Sequence, residues 1–172
     1  TWMVGRLDVA LIVNRLTRKG KDGNRPESRD RLFRHAIAEE LAIPPRLMID
    51  VHSFKPGSRR FAGRDIVLLH TPGLQSLAFL KRYARYLTDA GRALHYPDVK
   101  VEIDDAMYVD DVCIQARELD VSTRALMLAE HNDLGHPELA GEVYAAMHAR
   151  AIRRLFDQRD AKKAHRAPGG IH

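Results

Sequence analysis

Three short segments of this chain carry residue types that could do chemistry together: Asn14-Arg15, Asp50-Val51-His52-Ser53 and Glu130-His131-Asn132. Each follows an apolar run of the kind that forms a buried strand. Ligands of open α/β sheets bind beyond the carboxyl ends of the strands, so these three tips are where a site is expected. An arginine at such a tip forks onto a carboxylate. A histidine there holds a divalent metal that polarises a carbonyl and its water, and a glutamate moves a proton between water and leaving group. If the strands run parallel, all three tips share one sheet edge. The chemistry that trio suits is hydrolysis of an amide in a substrate that bears a carboxylate. Taken alone, the Asp-x-His-Ser segment reads equally as a strand cap.

The elements that must position these residues alternate along the chain. Continuous apolar runs predict strands over residues 7–13, 47–51, 66–69, 99–103 and 125–129. Residues 29–41 form a helix with Ser28 as cap and Pro44-Pro45 as stop. Thr71-Pro72-Gly73 opens a second helix over residues 74–90, with Leu77, Leu80, Tyr83, Ala84 and Leu87 on one face and Gly91 at its end. Further helices are expected at 110–119 and 139–156. Such alternation predicts a single three-layer α/β/α domain with a mostly parallel or mixed sheet of about five or six strands. The domain is placed at residues 1–157, N-terminally incomplete, with a basic, disordered tail at 158–172.

Composition bounds the function. The chain has 172 residues, 30% of them charged, and a formal net charge of +5, ordinary values for a globular domain large enough to bury its own core. One cysteine, Cys113, excludes an internal disulfide and any CxxC metal or redox chemistry. A reducing, cytoplasmic location fits that usage. No run reaches the roughly 18–20 apolar residues of a membrane span. Basic residues concentrate in segments 15–34 and 150–166, where no aromatic platform interleaves the charges as single-strand binders require. These segments read as solvated surface, and a nucleic-acid partner is not expected.

The reactive segments also carry a resemblance. Asn14-Arg15 after its strand, Asp50-Val51-His52-Ser53, the RDIVLLH of residues 64–70 and the ALMLAEHN of residues 125–132 resemble the N-formylglutamate amidohydrolase family, a branch of the zinc carboxypeptidase-like (phosphorylase/hydrolase-like) fold. The similarity spans most of residues 7–156. It implies a zinc cofactor and, as substrate, a small carboxylate-bearing N-acyl amino acid of the N-formylglutamate type. It further implies that Asn14 and Arg15 contact the substrate carboxylate, that His52 is the last zinc ligand and that Glu130 is the catalytic acid/base.

The chain departs from the family pattern in two places. The family's first two zinc ligands stand upstream of the Asn-Arg pair, whereas the thirteen residues before Asn14 hold no histidine. Val13 also stands where the family has an aspartate. His35 and Glu39, four apart in an amphipathic helix, read as surface residues. A catalytic zinc takes three protein ligands, so the chain alone is expected neither to hold zinc tightly nor to hydrolyse substrate efficiently. The alternative expectation is an inactive homologue, a structural or assembly subunit whose basic surface meets a protein partner.

Four further candidates complete the reading. Glu102, Asp104, Asp105, Asp110 and Asp111 suit a strand end and a helix start more than a Mg²⁺ or Ca²⁺ site. His70 ends a strand and is a candidate for the same cleft as His52. His131, adjacent to Glu130, falls on the opposite face of its strand. Tyr108 is a buried aromatic or a hydrogen-bond donor near the cleft.

Overall fold

Ile66-Val67-Leu68-Leu69 is apolar without alternation, the pattern of a strand covered on both faces. The computed structural model buries it on both: Ile66, Val67 and Leu68 are each 0% exposed. This model describes residues 35–36, 38–39, 47–53, 61–71, 75–105, 126–131 and 141–164. The architecture is broadly α/β. Among the described residues four strands, β1 (Met48–Ser53), β2 (Ile66–His70), β3 (Val101–Asp105) and β4 (Leu126–His131), form one sheet. Their order is β1-β4-β2-β3. β1 pairs with β4 and β2 with β3 in parallel, whereas β2 and β4 meet antiparallel. Of the sheet types expected, the mixed one is found.

Two helices, α1 (Leu77–Ala93) and α2 (Glu142–Ala164), pack together on one face of the sheet. Ile66 and Leu68 meet Leu80, Tyr83 and Leu87 of α1 and Met147, Ile152 and Leu155 of α2 in a single buried cluster. Residues 67 and 69 alternate to the other face, where they form a smaller buried cluster with Phe61. The start of β2 is pinned from three sides. Asp65 Oδ2 accepts the Lys100 backbone N–H at 2.8 Å, the Asp65 N–H donates to the Lys100 carbonyl, and the Tyr144 hydroxyl donates to the Asp65 carbonyl at 3.3 Å.

Element ends differ from the sequence expectation for identifiable reasons. α1 begins at Leu77 rather than residue 74, because Ser76 is its N-cap and its side chain accepts the Phe79 N–H at 3.2 Å. The helix then runs through Gly91. A Cβ at Gly91 would stand 3.2 Å from the Tyr96 carbonyl and 3.4 Å from the side chains of Met147 and Val99, so this glycine permits close packing rather than ending the helix. The stop comes three residues later. Tyr96 N–H donates to the Gly91 carbonyl at 2.9 Å and His95 N–H to the Arg92 carbonyl at 3.1 Å, the bond pair of a Schellman motif. Its left-handed position is filled by His95, with φ 68°. α2 starts at Glu142, after Gly141 with φ 65°. It continues to Ala164, past the residue 158 where the sequence places a disordered tail: nothing from Gln158 to Ala164 breaks a helix, and Pro168 is the first residue that would. His35, Ala36, Ala38 and Glu39 are helical, as expected within 29–41, and the side chains of His35 and Glu39 are exposed and 3.3 Å apart. The expected strand 7–13 and helix 110–119, with Tyr108, Cys113 and the Asp110-Asp111 pair, lie outside the described residues.

Two stability predictions follow from these contacts. Residues other than glycine pay for a left-handed φ, so His95→Gly is expected to raise the unfolding free energy in urea by about 0.5–1 kcal/mol. Tyr83 is buried between the helices, and its hydroxyl lies 2.9 Å from His148 Nδ1. Desolvation raises its pKa above the ordinary tyrosine value. Above about pH 10 the unfolded chain therefore releases a proton that the native state keeps, and stability falls by up to about 1.4 kcal/mol per pH unit. Urea denaturation between about pH 8 and 11 should show that decline in the wild type. It should be reduced in Tyr83→Phe, which also costs about 1–3 kcal/mol at neutral pH through the lost buried hydrogen bond.

Candidate active site at the β1–β4 edge

The parallel pairing of β1 and β4 sets His52 opposite Glu130 and Ser53 opposite His131. Neighbouring strands lie about 4.8 Å apart, so positions 52 and 130 are adjacent at the carboxyl ends of their strands. Cross-strand partners share a face, and the row continues through Val67 on β2 to Glu102 on β3. Position 131 alternates to the helix-bearing face, opposite Ile66 and Ser53. That agrees with the expectation that His131 and Glu130 do not share a face.

The antiparallel β2–β4 pairing decides what else is near. Because β2 reverses direction, the edge at which β1 and β4 end is the edge at which β2 and β3 begin. His70, at the carboxyl end of β2, is therefore at the opposite sheet edge from His52 and Glu130. The expectation that it lines the same cleft is corrected by this strand reversal. There His70 Nδ1 lies 3.2 Å from Asp105 Oδ1, so each has a local partner. Asn14 and Arg15 lie outside the described residues.

The residue brought to this edge instead is Arg64, two residues before the start of β2. Its Nε lies 2.8 Å from Glu102 Oε2, and its Nη1 donates to Asp104 Oδ2 at 2.9 Å. The Arg64 side chain is only 25% exposed. Glu102 and Asp104 stand two apart on β3, hence on one face, and a single guanidinium bridges both. Glu102 and Asp104 of β3 thus have their counter-charge within the protein, with no metal ion required. The sequence signal was available: an Arg-Asp pair heading one strand and an acid-x-acid pattern in the next. Only the parallel register of the two strands joins them.

Among the described residues, no group of three or more His, Cys, Asp or Glu side chains is arranged to hold a metal. His52 is the one zinc-ligand candidate that the sequence names within them. Comparison of the chain with protein-family models, with curated proteins and with solved structures gives no match.

The ion-pair cluster is directly testable. Arg64→Met leaves two carboxylates on one strand face without their shared cation. It is expected to cost about 1 kcal/mol, the upper range for a partly exposed pair, with a smaller loss at high salt. Adding Glu102→Gln to Arg64→Met should recover part of that loss, giving a non-zero coupling energy in the double-mutant cycle read by urea denaturation.

Proposed function

We propose that this chain is an amidohydrolase-type protein of the N-formylglutamate class, built on a three-layer α/β/α, carboxypeptidase-like architecture and acting in the cytoplasm. The observation that carries the reading is the register of His52 opposite Glu130. Two residues chosen for their chemistry from separate segments fall at adjacent positions on neighbouring parallel strands. The buried Val67 and Leu69 on the sheet face away from the helices are also in keeping with a sheet covered on both sides.

In this reading Glu130 works as acid and base. It takes a proton from the water that attacks the acyl carbon and returns it to the departing nitrogen as the C–N bond breaks, releasing formate and the free amino acid. Asn14 and Arg15 hold the substrate carboxylate. Zinc is the cofactor implied by the resemblance, where it would activate the water. The described residues provide only His52 toward it, fewer than the three protein ligands of a catalytic zinc. They do not constitute a zinc site by themselves, and no step here is routed through the ion.

That shortage of ligands is the specific observation favouring a second reading, a catalytically inactive homologue with a structural or assembly role. Formate release from N-formylglutamate, measured with the purified 172-residue chain at increasing zinc, separates the two. Slow, zinc-dependent release is expected. Glu130→Gln should reduce it at least about 100-fold, the scale of a lost general acid–base group, while His52→Ala should weaken the zinc dependence. No release at any zinc concentration removes the enzyme reading and leaves the assembly role. Stoichiometric zinc that survives dialysis and is lost on His52→Ala would instead establish a complete site, with ligands beyond the described residues.

A further inference from the structure

The helix pair gathers cations that the linear sequence keeps apart. On α1, Lys81, Arg82, Arg85 and Arg92 are exposed, and on α2, Arg150 and Arg154 are exposed. Arg85 and Arg92 meet Arg150 and Arg154 along the α1–α2 seam, and Lys81 and Arg82 extend the exposed cations along α1. Arg154 Nη1 donates to Asp89 Oδ2 at 2.5 Å, and Arg92 Nη1 lies 3.6 Å from the same carboxylate. The guanidinium carbons of Arg85 and Arg154 stand 5.5 and 4.5 Å from the centroid of the Tyr86 ring. Arg150 Nη1 donates to the Ala93 carbonyl at 3.5 Å, which brings it to the end of α1. Three guanidinium groups, those of Arg85, Arg92 and Arg154, thus border one tyrosine and one aspartate, with Arg150 beside them at the end of α1. A single carboxylate leaves a large positive excess, and Arg92 and Arg154 remain 63% and 48% exposed while paired.

We propose that this seam is a docking surface for the phosphodiester backbone of double-stranded nucleic acid. Three features select that occupant. Five of the six cations are arginine, whose planar fork suits phosphate oxygens. From Lys81 to Arg92 the α1 cations run along roughly 16 Å of helix, longer than one phosphate and comparable to several steps of a duplex strand at about 3.4 Å each. The surface is also unsuited to a lipid bilayer, because Leu77 is the only large apolar side chain exposed on α1 or the described part of α2, and it stands at the first residue of α1, away from the seam. The aromatic rings among these cations, Tyr83 and Tyr86, are buried and offer no platform for stacking bases, which argues against single-strand binding but does not bear on a duplex read through its backbone. Neither basic segment singled out in the sequence contains the α1 cations, which are spaced between apolar residues that face the core.

The test uses the full chain and a fluorescein-labelled DNA duplex of about 20 base pairs and arbitrary sequence, with anisotropy read from about 50 to 200 mM salt. Binding is expected to weaken steeply with salt. Arg85→Gln/Arg92→Gln should weaken it at least about tenfold at low salt and reduce the log–log salt slope by nearly two, about 0.9 per phosphate contact. Lys81→Gln/Arg82→Gln, at exposed sites, serves the same purpose should the first variant lose its helical circular dichroism. Arg29→Gln/Arg31→Gln removes the same net charge from the N-terminal basic segment and should leave binding within about twofold of wild type. The proposal is overturned if the duplex does not bind at low salt, or if the Arg29/Arg31 variant loses as much as the seam variants. It is equally overturned if vesicles with about a third phosphatidylserine bind through the seam arginines while the duplex does not.

Discussion

Strand β2 lies in the middle of the described sheet with apolar residues on both faces, and nearly everything else is arranged by how it is covered. Ile66 and Leu68 turn to the two helices, Val67 and Leu69 to the opposite face, and none of the four reaches solvent appreciably. Each such side chain fully removed from water contributes roughly 1.5–3 kcal/mol. A one-residue slip in register would exchange the two faces and break both clusters at once. The pairing of β2 with β3 and β4 is therefore strongly specified, and the positions of His52, Glu130 and Arg64 follow from it.

Polar anchors refine what burial sets. Asp65 and Lys100 tie the beginnings of β2 and β3 together, and Arg64 then reaches both carboxylates of the neighbouring strand. β3 is an outer strand among the described residues. Its line of acids, held on one face by Arg64, suits an edge that must resist pairing with another chain. The same logic of one charge shared among several partners appears at the helix seam, with signs reversed: there one aspartate serves two arginines. At the sheet edge two carboxylates against one guanidinium leave a small negative excess. At the seam the excess is positive and larger, and it is that excess which gives the surface a use.

The strands over 48–53, 66–70 and 126–131 were legible because each is an apolar run bounded by polar residues. The face of α1 was legible because its apolar residues recur every three or four positions. The ends were less so. Ser76, rather than the Thr71-Pro72-Gly73 segment, marks the start of α1 because its hydroxyl accepts an N–H of the first turn. Gly91, which resembles a C-cap, is consumed by close packing against Val99, Met147 and the Tyr96 carbonyl. His95 takes the left-handed position instead, a role with no compositional signature at a histidine.

The sequence by itself determined the strands near 48–53, 66–70, 101–105 and 126–131 and the burial of 66–69, because these depend on local hydrophobicity and period. The 47–51 run, read as a buried strand, is instead only partly covered, with Val51 52% exposed. The sequence named His52 and Glu130 from chemistry alone. It could not determine strand direction, since an apolar run reads the same either way. Tertiary structure decided that β1 and β4 run together while β2 runs against β4. The parallel pair sets His52 beside Glu130, and the reversal of β2 sends His70 to the far edge and brings Arg64 to the near one. Tertiary structure likewise decided that the arginines of two helices, 58 or more residues apart in the chain (150 − 92), meet at one seam. Electrostatic fields add through space, and the chain order of charges carries no information about which of them will be neighbours.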